Sequence, residues 1–431
     1  MGPETGINVL QLSTSDRSGG AALACMRLAE ALKSKGHSVR MLVQEKRSQA
    51  DWVQTASATH AHVSKYLKHV EYAVSNRFKV RTGYQFASEP WLAHPIAKHP
   101  WLQWADVINI HWVQHGFLGI REWAQLGALG KPVIWHLHDF RPFTGGCHYP
   151  GACPNYLQAC GQCPALRTSS RGDESARQWQ QQAAIYQRYP MVMAGASDWI
   201  TREAQRSGLG AWVQAVHIPN PIDTRQYAPG PREASRSALG LPQDVPLLLF
   251  ASMNATDERK GFRQLIEALN HLSRQNPLVE LIVVGKSKPE WAHSLPCRAH
   301  LLGSLSPDRM IDAYRAADVF VLPSLEDNLP NTVLESMACG TPVAAFRIGG
   351  IPEMVQDPEN GALAKAGDGA DLARAIDAII NHPQPTKLAE RARTWVETHY
   401  HPDLVADRYT RLMRALMNGG KDNSSAHSII P

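Results

Sequence analysis

Two neighbouring cations stand where one predicted strand ends and a predicted helix begins. In "ERKGF", Arg259 and Lys260 occupy this junction. A solvated helix start would explain them, but positive charge is disfavoured at a helix N-terminus. Guanidinium and ammonium groups together suit the oxygens of a diphosphate. The pattern therefore favours an anion-binding role over a purely structural one.

A second strand-to-helix junction, "LEDNLPNTVLESMACGTPV", is rich in acidic side chains. Three carboxylates lie within eleven positions: Glu326, Asp327 and Glu335. A structural interpretation explains them, because Thr332 and Glu335 have the spacing of a capping box. Pro330 enforces the turn, and Asp327 and Asn328 are ordinary turn formers. Local evidence favours this interpretation, with ligand binding as the alternative.

The N-terminal half carries polar residues at similar junctions. In "HLHD", His136 and His138 alternate along a predicted strand and so share one face. Two interpretations agree with this pattern: a pair of hydrogen-bonded histidines in the core, or a pair that faces a ligand. His111 ends the preceding predicted strand in the same manner. Gly19 and Gly20 open a helix whose N-terminal amides favour an anion. A flexible turn explains these glycines equally well.

Four of the seven cysteines form a cluster with the spacing C-x5-C-x6-C-x2-C. They are Cys147, Cys153, Cys160 and Cys163. Only the last pair has a common zinc-ligand spacing, and His148 could replace one ligand. Disulfides are disfavoured in a reducing compartment. The sequence leaves unligated thiols and a structural zinc ion as the two alternatives.

The elements that position these residues follow one pattern in both halves of the chain. Short β-branched runs alternate with helical segments, which predicts parallel sheets covered on both faces. A stretch at 216–230 has three prolines and no helical period, and is interpreted as a linker. In such sheets, ligands bind beyond the carboxyl ends of the strands. The predicted organisation is a domain at 1–218, containing the cysteine-rich loop 144–164, a domain at 219–400, a helix at 401–418 that crosses back, and a disordered tail at 419–431.

Composition restricts the class of protein. The 431 residues are 44% apolar and 19% charged, with a net charge of +5. This is a globular composition with room for two domains, and it argues against nucleic acid as a partner. No stretch reaches the ~20 apolar residues of a membrane span, and the first apolar run is too short for a signal peptide. We therefore expect a cytoplasmic protein.

A basic and aromatic segment at 64–86 could lie on an anionic membrane. An ordinary solvated helix is the alternative. The segment predicts a possible peripheral contact with the inner face of the cytoplasmic membrane.

Taken together, these motifs resemble the family 4 glycosyltransferases of the GT-B type. The stretch "ADVFVLPSLEDNLPNTVLESMACGTPVAAFRIGGIPEMVQDPENGAL" is similar to the family's E-x7-E, A-C-G-x-P-V, G-G-x-P-E and N-G elements. "IPNPIDTRQYAP" and "RKGFRQLIEAL" resemble two further elements, and the resemblance extends to about residue 415. "HLHDFRPFTGGCHYPGACPNYLQACGQCP" is similar to a bacterial exopolysaccharide subgroup of the colanic-acid type.

The resemblance implies an α/β GT-B fold, in which two doubly wound Rossmann-like domains face each other across a cleft. It implies a nucleotide-sugar donor on the C-terminal domain, with Glu335 on the ribose hydroxyls. The first acid of E-x7-E aligns with Asp327, one residue after Glu326, and would contact the donor sugar. Asn328 and Leu329 lie where the family's backbone amides meet donor oxygens.

The resemblance also implies roles for residues that match other positions of the family's motifs. Lys260 matches the family's diphosphate-binding lysine, and Arg259 is assigned the role of its arginine. Gly19 and Gly20 match the loop over the donor phosphates, and His138 matches a histidine near the transferred sugar. The sequence departs from the family's pattern at two positions of the sugar-binding half of the motif. Asp327 replaces the first Glu, and Pro330 has no backbone amide to donate.

The expected activity is retaining hexosyl transfer from a nucleotide sugar to an oligosaccharide acceptor, lipid-linked, in bacterial exopolysaccharide biosynthesis. The chain contains no D-x-D motif, so catalysis is expected to need no metal or other cofactor, and zinc would be structural. Two rivals are a nucleotide-sugar epimerase on the same fold and a non-catalytic donor-binding scaffold. A third is a metal-dependent phosphohydrolase built on His136, His138 and Asp139.

Overall fold

The chain forms two compact units, which we treat separately. Unit 1 comprises Met1–Pro221 and Pro402–Pro431, and unit 2 comprises Ile222–His401. The computed structural model describes residues 6–57, 70, 74, 79–81, 85–90, 93–254, 257–275, 278–287 and 295–419. Most of the basic segment 64–86, and the tail after residue 419, therefore lie outside the described residues.

Unit 1 contains a seven-stranded, wholly parallel sheet with the order β3-β2-β1-β4-β5-β6-β7. Every residue of its central strands β4 and β5 is buried, which explains their continuous apolar runs. The strands are β1 (Asn8–Ser15), β2 (Ser38–Glu45), β3 (Val53–Thr55), β4 (Val107–Ile110), β5 (Val133–Leu137), β6 (Val192–Gly195) and β7 (Gln214–His217). The first helices are α1 (Gly20–Ser34), α2 (Pro100–Trp104), α3 (Ile120–Gly127), α4 (Glu174–Arg188) and α5 (Asp198–Arg206).

Unit 2 contains a six-stranded parallel sheet with the order β10-β9-β8-β11-β12-β13. Its strands are β8 (Leu247–Asn254), β9 (Glu280–Lys286), β10 (Ala299–Gly303), β11 (Val319–Leu322), β12 (Val343–Phe346) and β13 (Gly361–Ala364). Its helices are α6 (Arg232–Leu239), α7 (Phe262–Gln275), α8 (Pro307–Ala316), α9 (Asn331–Ala338), α10 (Ile351–Met354), α11 (Gly369–Ile380) and α12 (Pro385–His399).

The last helix, α13 (Pro402–Gly419), belongs to unit 1 and packs against α1. Its buried Tyr409 lies in one apolar cluster with Leu28 of α1 and Ile134 of β5. A second cluster, which includes Trp123 and Trp135, covers the other face of the sheet. The sheet of unit 1 is thus buried on both faces.

The strand orders define one switch point in each sheet. In unit 1 the chain winds outward in opposite directions from β1 and β4, and in unit 2 from β8 and β11. Doubly wound sheets bind ligands in the crevice beyond the carboxyl ends of such a pair of strands. The segments after β1 and β4, and after β8 and β11, are therefore the places to examine for a site.

These two sheets confirm the predicted α/β class with two doubly wound Rossmann-like folds. The sequence did not predict strands β3, β7 and β13, or helices α2 to α6, α10 and α11. The last two residues of β7 lie in the stretch 216–230 that was interpreted as a linker. Strands β4 and β5 are shorter than predicted, because each ends before the histidine that follows it. Within the described residues, no helix has the length and apolar character needed to cross a membrane.

Candidate functional site

The switch point of unit 2 brings the predicted cations and acids together. After β8, a 3-10 turn spans Glu258–Lys260, and after β11 the chain runs through Leu325 and Glu326. The Leu325 N–H donates to the Arg259 carbonyl at 2.8 Å, and Arg259 Nη1 donates to the Glu326 carbonyl at 2.7 Å. These reciprocal bonds tie the two loops to each other.

Asp327 is the buried centre of this arrangement, with 7% of its surface exposed. Lys260 Nζ donates to Asp327 Oδ2 at 2.7 Å, Ser324 Oγ donates to the same oxygen at 3.2 Å, and Arg259 Nη1 lies 3.7 Å from it. Burial alone would raise the pKa of Asp327, but the charges of Lys260 and Arg259 hold it below its ordinary value. Asp327 is therefore a charged carboxylate, held by the same cations that could bind a diphosphate.

Glu335 is buried one helix further on, and its environment rules out the capping-box interpretation. Helix α9 begins at Asn331 with Pro330 as its N-cap residue, and no side chain caps it. The Glu335 carboxylate instead accepts a hydrogen bond from Tyr314 OH at 2.8 Å. Burial and the charge of Glu335 raise the pKa of Tyr314 well above its ordinary value. Glu335 thus bonds to a tyrosine of α8, and its own helix does not begin at Thr332.

The neighbours of Asp327 are held more by backbone than by side-chain contacts. The Asn328 N–H donates to Asp327 Oδ1 at 3.2 Å, and the Asn328 carbonyl accepts from the Gly350 N–H at 3.0 Å. The Leu329 side chain is buried, so only its backbone is available for the role assigned to it. Glu326 is half-buried.

The switch point of unit 1 begins with the predicted glycine turn after β1. Gly19 has φ 91° and is the N-cap residue of α1, which starts at Gly20. No side chain caps this helix, and its first turn carries no acidic residue. A helix start with this composition favours an anion through its amides and dipole.

Three histidine rings cluster at the carboxyl ends of β4 and β5. His111 Nδ1 lies 2.9 Å from His138 Nε2, and the ring centroids of His136 and His138 are 4.8 Å apart. Burial, followed by the neighbouring rings, lowers the pKa of His111 and His138 well below the ordinary value. Neutral imidazoles are therefore the stable forms in the folded protein at pH 7. His111 also contacts Gln11 Oε1 of β1 through Nε2 at 2.8 Å.

His136 and Asp139 take up structural contacts, which disfavours the phosphohydrolase alternative. His136 binds Tyr409 OH through Nδ1, and its Nε2 lies 2.8 Å from Asn220 Oδ1. The Asp139 carboxylate accepts from the indole N–H of Trp112 at 3.0 Å and pairs with His148 Nδ1 at 2.7 Å. Among the described residues, no set of three His, Cys, Asp or Glu groups is already arranged as a metal site.

The four predicted cysteines line a single cavity in unit 1. All four are free thiols. A hydrogen bond between the Cys147 and Cys163 thiols lowers the pKa of Cys163 to about 7, while burial raises the pKa of Cys160 to about 12. His148 was considered as an alternative ligand, but it is held by Asp139 and does not line this cavity.

Comparison with known proteins identifies the class of the molecule. Residues 245–382 match the family described as "Glycosyl transferases group 1". D-inositol 3-phosphate glycosyltransferase of Xylanimonas cellulosilytica is 33% identical over 318 residues, which cover 67% of each chain. The lipopolysaccharide core biosynthesis glycosyltransferase LpsE of Rhizobium meliloti is 34% identical over 184 residues, which cover 41% of this chain and 52% of LpsE.

The fold has close solved counterparts of the GT-B type. Sucrose-phosphate synthase of Thermosynechococcus elongatus superposes with a TM-score of 0.63 at 20% identity, covering 96% of this chain and 100% of its own. Likeness at this identity defines the fold alone. The family match and the relatives show that the chain belongs to the group 1 glycosyltransferases.

Sequence reasoning missed three contacts of the site. Tyr314, the partner of Glu335, lies 21 residues away in a helix that carries no motif. Ser324 lies in the loop just after β11, and its bond to Asp327 depends on the conformation of that loop. His111 was noted at a strand end, yet its pairing with His138 requires β4 and β5 to be adjacent, which the sequence does not state.

Proposed function

We propose that this protein transfers a hexosyl unit from a nucleotide-diphosphate sugar to an oligosaccharide acceptor, with retention of anomeric configuration. One observation carries the proposal. Lys260 and Arg259 are gathered around the buried carboxylate of Asp327 at the switch point of unit 2, with Glu335 on the helix that follows. A site with cations and hydroxyl-accepting acids fits a ligand that carries both phosphates and sugar hydroxyls.

The cations would act on the leaving group. As the bond between the anomeric carbon and the phosphate oxygen breaks, negative charge develops on the diphosphate. Lys260 and Arg259 would stabilise that charge, which is an interaction that strengthens in the transition state. The Lys260 ammonium group would then bond to the diphosphate, either in addition to Asp327 or in its place.

The acids would orient the donor. A carboxylate accepts hydrogen bonds only, so Asp327 and Glu335 are suited to hydroxyl groups. We assign Glu335 to the ribose hydroxyls and Asp327 to hydroxyls of the transferred sugar, with the backbone of Asn328 and Leu329 beside it. In unit 1 we assign His138 to the transferred sugar, and the turn at Gly19 and Gly20 to the donor phosphates.

Retention is proposed without a protein nucleophile. The acceptor hydroxyl would attack on the face from which the diphosphate leaves, and the departing phosphate oxygen would take its proton. No metal is assigned to this step, because the cations of the site supply the charge that the leaving group needs.

The acceptor class is supported by the relatives' names and by the sequence resemblance. Two of the relatives are named for D-inositol 3-phosphate and for lipopolysaccharide core biosynthesis. We propose a lipid-linked oligosaccharide of exopolysaccharide assembly at the inner face of the cytoplasmic membrane.

The test is a transfer assay on the purified chain with a panel of nucleotide sugars and lipid-linked oligosaccharides, followed by mass spectrometry. We expect an acceptor heavier by one hexose, and an α or β linkage by NMR that matches the donor. Release of an altered nucleotide sugar without acceptor would favour the epimerase. Donor binding without any turnover across the panel would favour the scaffold.

Asp327→Ala should lower turnover more than donor affinity, because this carboxylate is assigned to the reacting sugar. Glu326→Ala is the matched control one residue away and should leave both near the wild-type values. Equal turnover in Asp327→Ala and wild type would contradict the assignment.

A further inference from the structure

The cysteine cluster of unit 1 takes no part in the proposed glycosyl transfer. Its members, Cys147, Cys153, Cys160 and Cys163, are called the four-cysteine cluster below. They come from three separate turns of the chain between β5 and α4, yet they line the same cavity. Four sulfur side chains from a single loop therefore meet at one cavity, and the proposed transfer reaction does not explain why.

Backbone amides point at three of the four sulfurs. The Gly145 N–H donates to Cys160 Sγ at 3.2 Å. The N–H of Asn155 bonds to the Cys153 sulfur, and the N–H groups of Ala165 and Leu166 bond to the Cys163 sulfur. Amide donors favour a thiolate over a neutral thiol, which is the form in which cysteine binds a metal ion.

The turn between Cys160 and Cys163 is held in an unusual conformation. Gln162 has φ 46°, which is rare for a residue with a side chain. It is maintained by bonds on both sides: Gln162 N–H donates to the Ser170 carbonyl at 2.7 Å, and Asn155 Nδ2 donates to the Gly161 carbonyl at 2.7 Å. These bonds keep the two sulfurs of the C-x2-C pair directed at the same cavity.

The cavity has the size of a single ion. The space in it open to the centre of a water molecule is about 10 Å³, near the ~10–15 Å³ that one water requires. Besides the four cysteines, its lining includes Thr144, Asn155, Tyr156 and Ser175, but no carboxylate and no imidazole. Thiolate ligands without oxygen donors select Zn²⁺ over Mg²⁺ or Ca²⁺.

We propose that the four-cysteine cluster binds one Zn²⁺ ion as a closed structural site. In the structure, no group of three or more His, Cys, Asp or Glu side chains among the described residues is placed so that it could hold a metal ion. Binding therefore requires the sulfurs to approach the ion to about 2.3 Å, and the hydrogen bond between Cys147 and Cys163 to be replaced by two Zn–S bonds. Each thiol that becomes a ligand releases its proton to solvent.

The ion would fix the loop that follows β5. His148, next to Cys147 in the chain, pairs with Asp139, which in turn follows His138 directly. Zinc would therefore hold the segment that packs beside the histidine cluster. Four protein ligands leave no open position, so the ion would not activate water.

The test begins with the wild-type chain and does not depend on glycosyl transfer. We expect one zinc per chain by elemental analysis after purification under reducing conditions. Replacement by Co²⁺ should give the visible absorption of a tetrahedral thiolate complex. No bound metal, together with no Co²⁺ spectrum when the reduced chain is titrated, would overturn the proposal.

Variants locate the ion. Cys153→Ser and Cys160→Ser should each lower the bound zinc at least tenfold in a competition with a chelator. Cys297→Ser, a partly buried single cysteine in unit 2, is the matched control and should retain one zinc. Wild-type zinc content in both cluster variants would show that the metal binds elsewhere, which also overturns the proposal.

Discussion

At the scale of single residues, the contact between Lys260 and Asp327 joins stability to function. The Lys260 side chain is 23% exposed, whereas Asp327 is almost fully buried. A buried carboxylate that loses its cation remains desolvated without compensation. The same ammonium group is the one we assign to the leaving diphosphate. Removing the Lys260 ammonium group should therefore lower both the stability and the catalytic activity, and the two effects can be measured separately.

Lys260→Met should reduce the free energy of unfolding by about 1–2 kcal/mol, because the partial exposure of Lys260 keeps the loss below the ~3–5 kcal/mol of a fully buried pair. It should also reduce kcat/KM at least tenfold. The double variant Lys260→Met/Asp327→Asn should regain much of the stability, since no uncompensated charge remains, but not the activity. Denaturant unfolding and the transfer assay measure the two quantities.

Lys286→Met is the control, because Lys286 is exposed at the end of β9. It should change the free energy of unfolding by no more than about 0.5 kcal/mol. Full activity in Lys260→Met would remove Lys260 from the mechanism.

At this scale the sequence indicated which positions to compare, but it did not indicate the hydrogen-bond partner of each side chain. The count of residues in the acidic stretch selected Asp327 over Glu326, and the structure puts Asp327 beside Lys260. The Thr332–Glu335 spacing suggested a cap, which was wrong because α9 starts at Asn331. A local spacing rule could not reveal that Glu335 would bond to a tyrosine in another helix.

At the scale of elements, the 3-10 turn after β8 depends on Gly261. Its φ is 69°, and an added Cβ would collide with the carbonyl oxygen of Pro323 in the loop after β11. The close approach of these two segments allows Arg259 to bond to the Glu326 carbonyl. Only glycine satisfies both the backbone angle and the contact.

Gly261→Ala should destabilise unit 2 by more than the ~1–2 kcal/mol that positive φ alone costs a residue with a side chain, and should weaken donor binding. Gly240→Ala is the matched control. Gly240 also ends a helix with φ 66°, but no atom lies within 4 Å of its added Cβ. Thermal unfolding of the two variants measures the difference, and equal melting temperatures would contradict the proposed packing of the two loops.

The elements themselves were largely predictable, because alternating apolar strands and amphipathic helices carry a strong local signal. Strand β3, with three residues, is too short to give such a signal. The exact ends of β4 and β5 depend on the neighbouring strands with which each one pairs, and this information is not local.

At the scale of the whole molecule, the two units carry different acid-sensitive groups. In unit 1, burial lowers the pKa of His136 to about 4 and that of His111 and His138 well below the ordinary value near 6.5. The unfolded chain then binds more protons than the folded one as the pH falls below about 6.5. The stability that depends on these histidines being neutral is fully present above about pH 6.5, and it is lost as the pH falls toward 4.

Asp327 in unit 2 behaves differently, because its pKa lies below the ordinary value. Its contribution is present above about pH 4 and is lost only below that. We therefore expect hydrogen exchange in β4, β5 and α13 to accelerate between pH 6.5 and 4.5, after correction for the intrinsic rate. Exchange around 324–337 should stay slow over this range. Acceleration around 324–337 without acceleration in β4, β5 and α13 would contradict the assignment of these charges.

The central claim is that unit 2 binds a nucleotide sugar through Lys260, Asp327 and Glu335. Its most direct test is a thermal-shift titration of the chain with uridine, guanosine, adenosine and thymidine diphosphate sugars. A ligand of the folded state raises the melting temperature by mass action. Glu335→Gln is the informative variant, because the amide oxygen can still accept from Tyr314 while the charge is lost.

We predict that at least one of these sugars raises the melting temperature of the wild-type chain by several degrees. The affinity should fall at least tenfold in Glu335→Gln and remain unchanged in Glu326→Gln. No shift with any nucleotide sugar, or an undiminished shift in Glu335→Gln, would contradict the account.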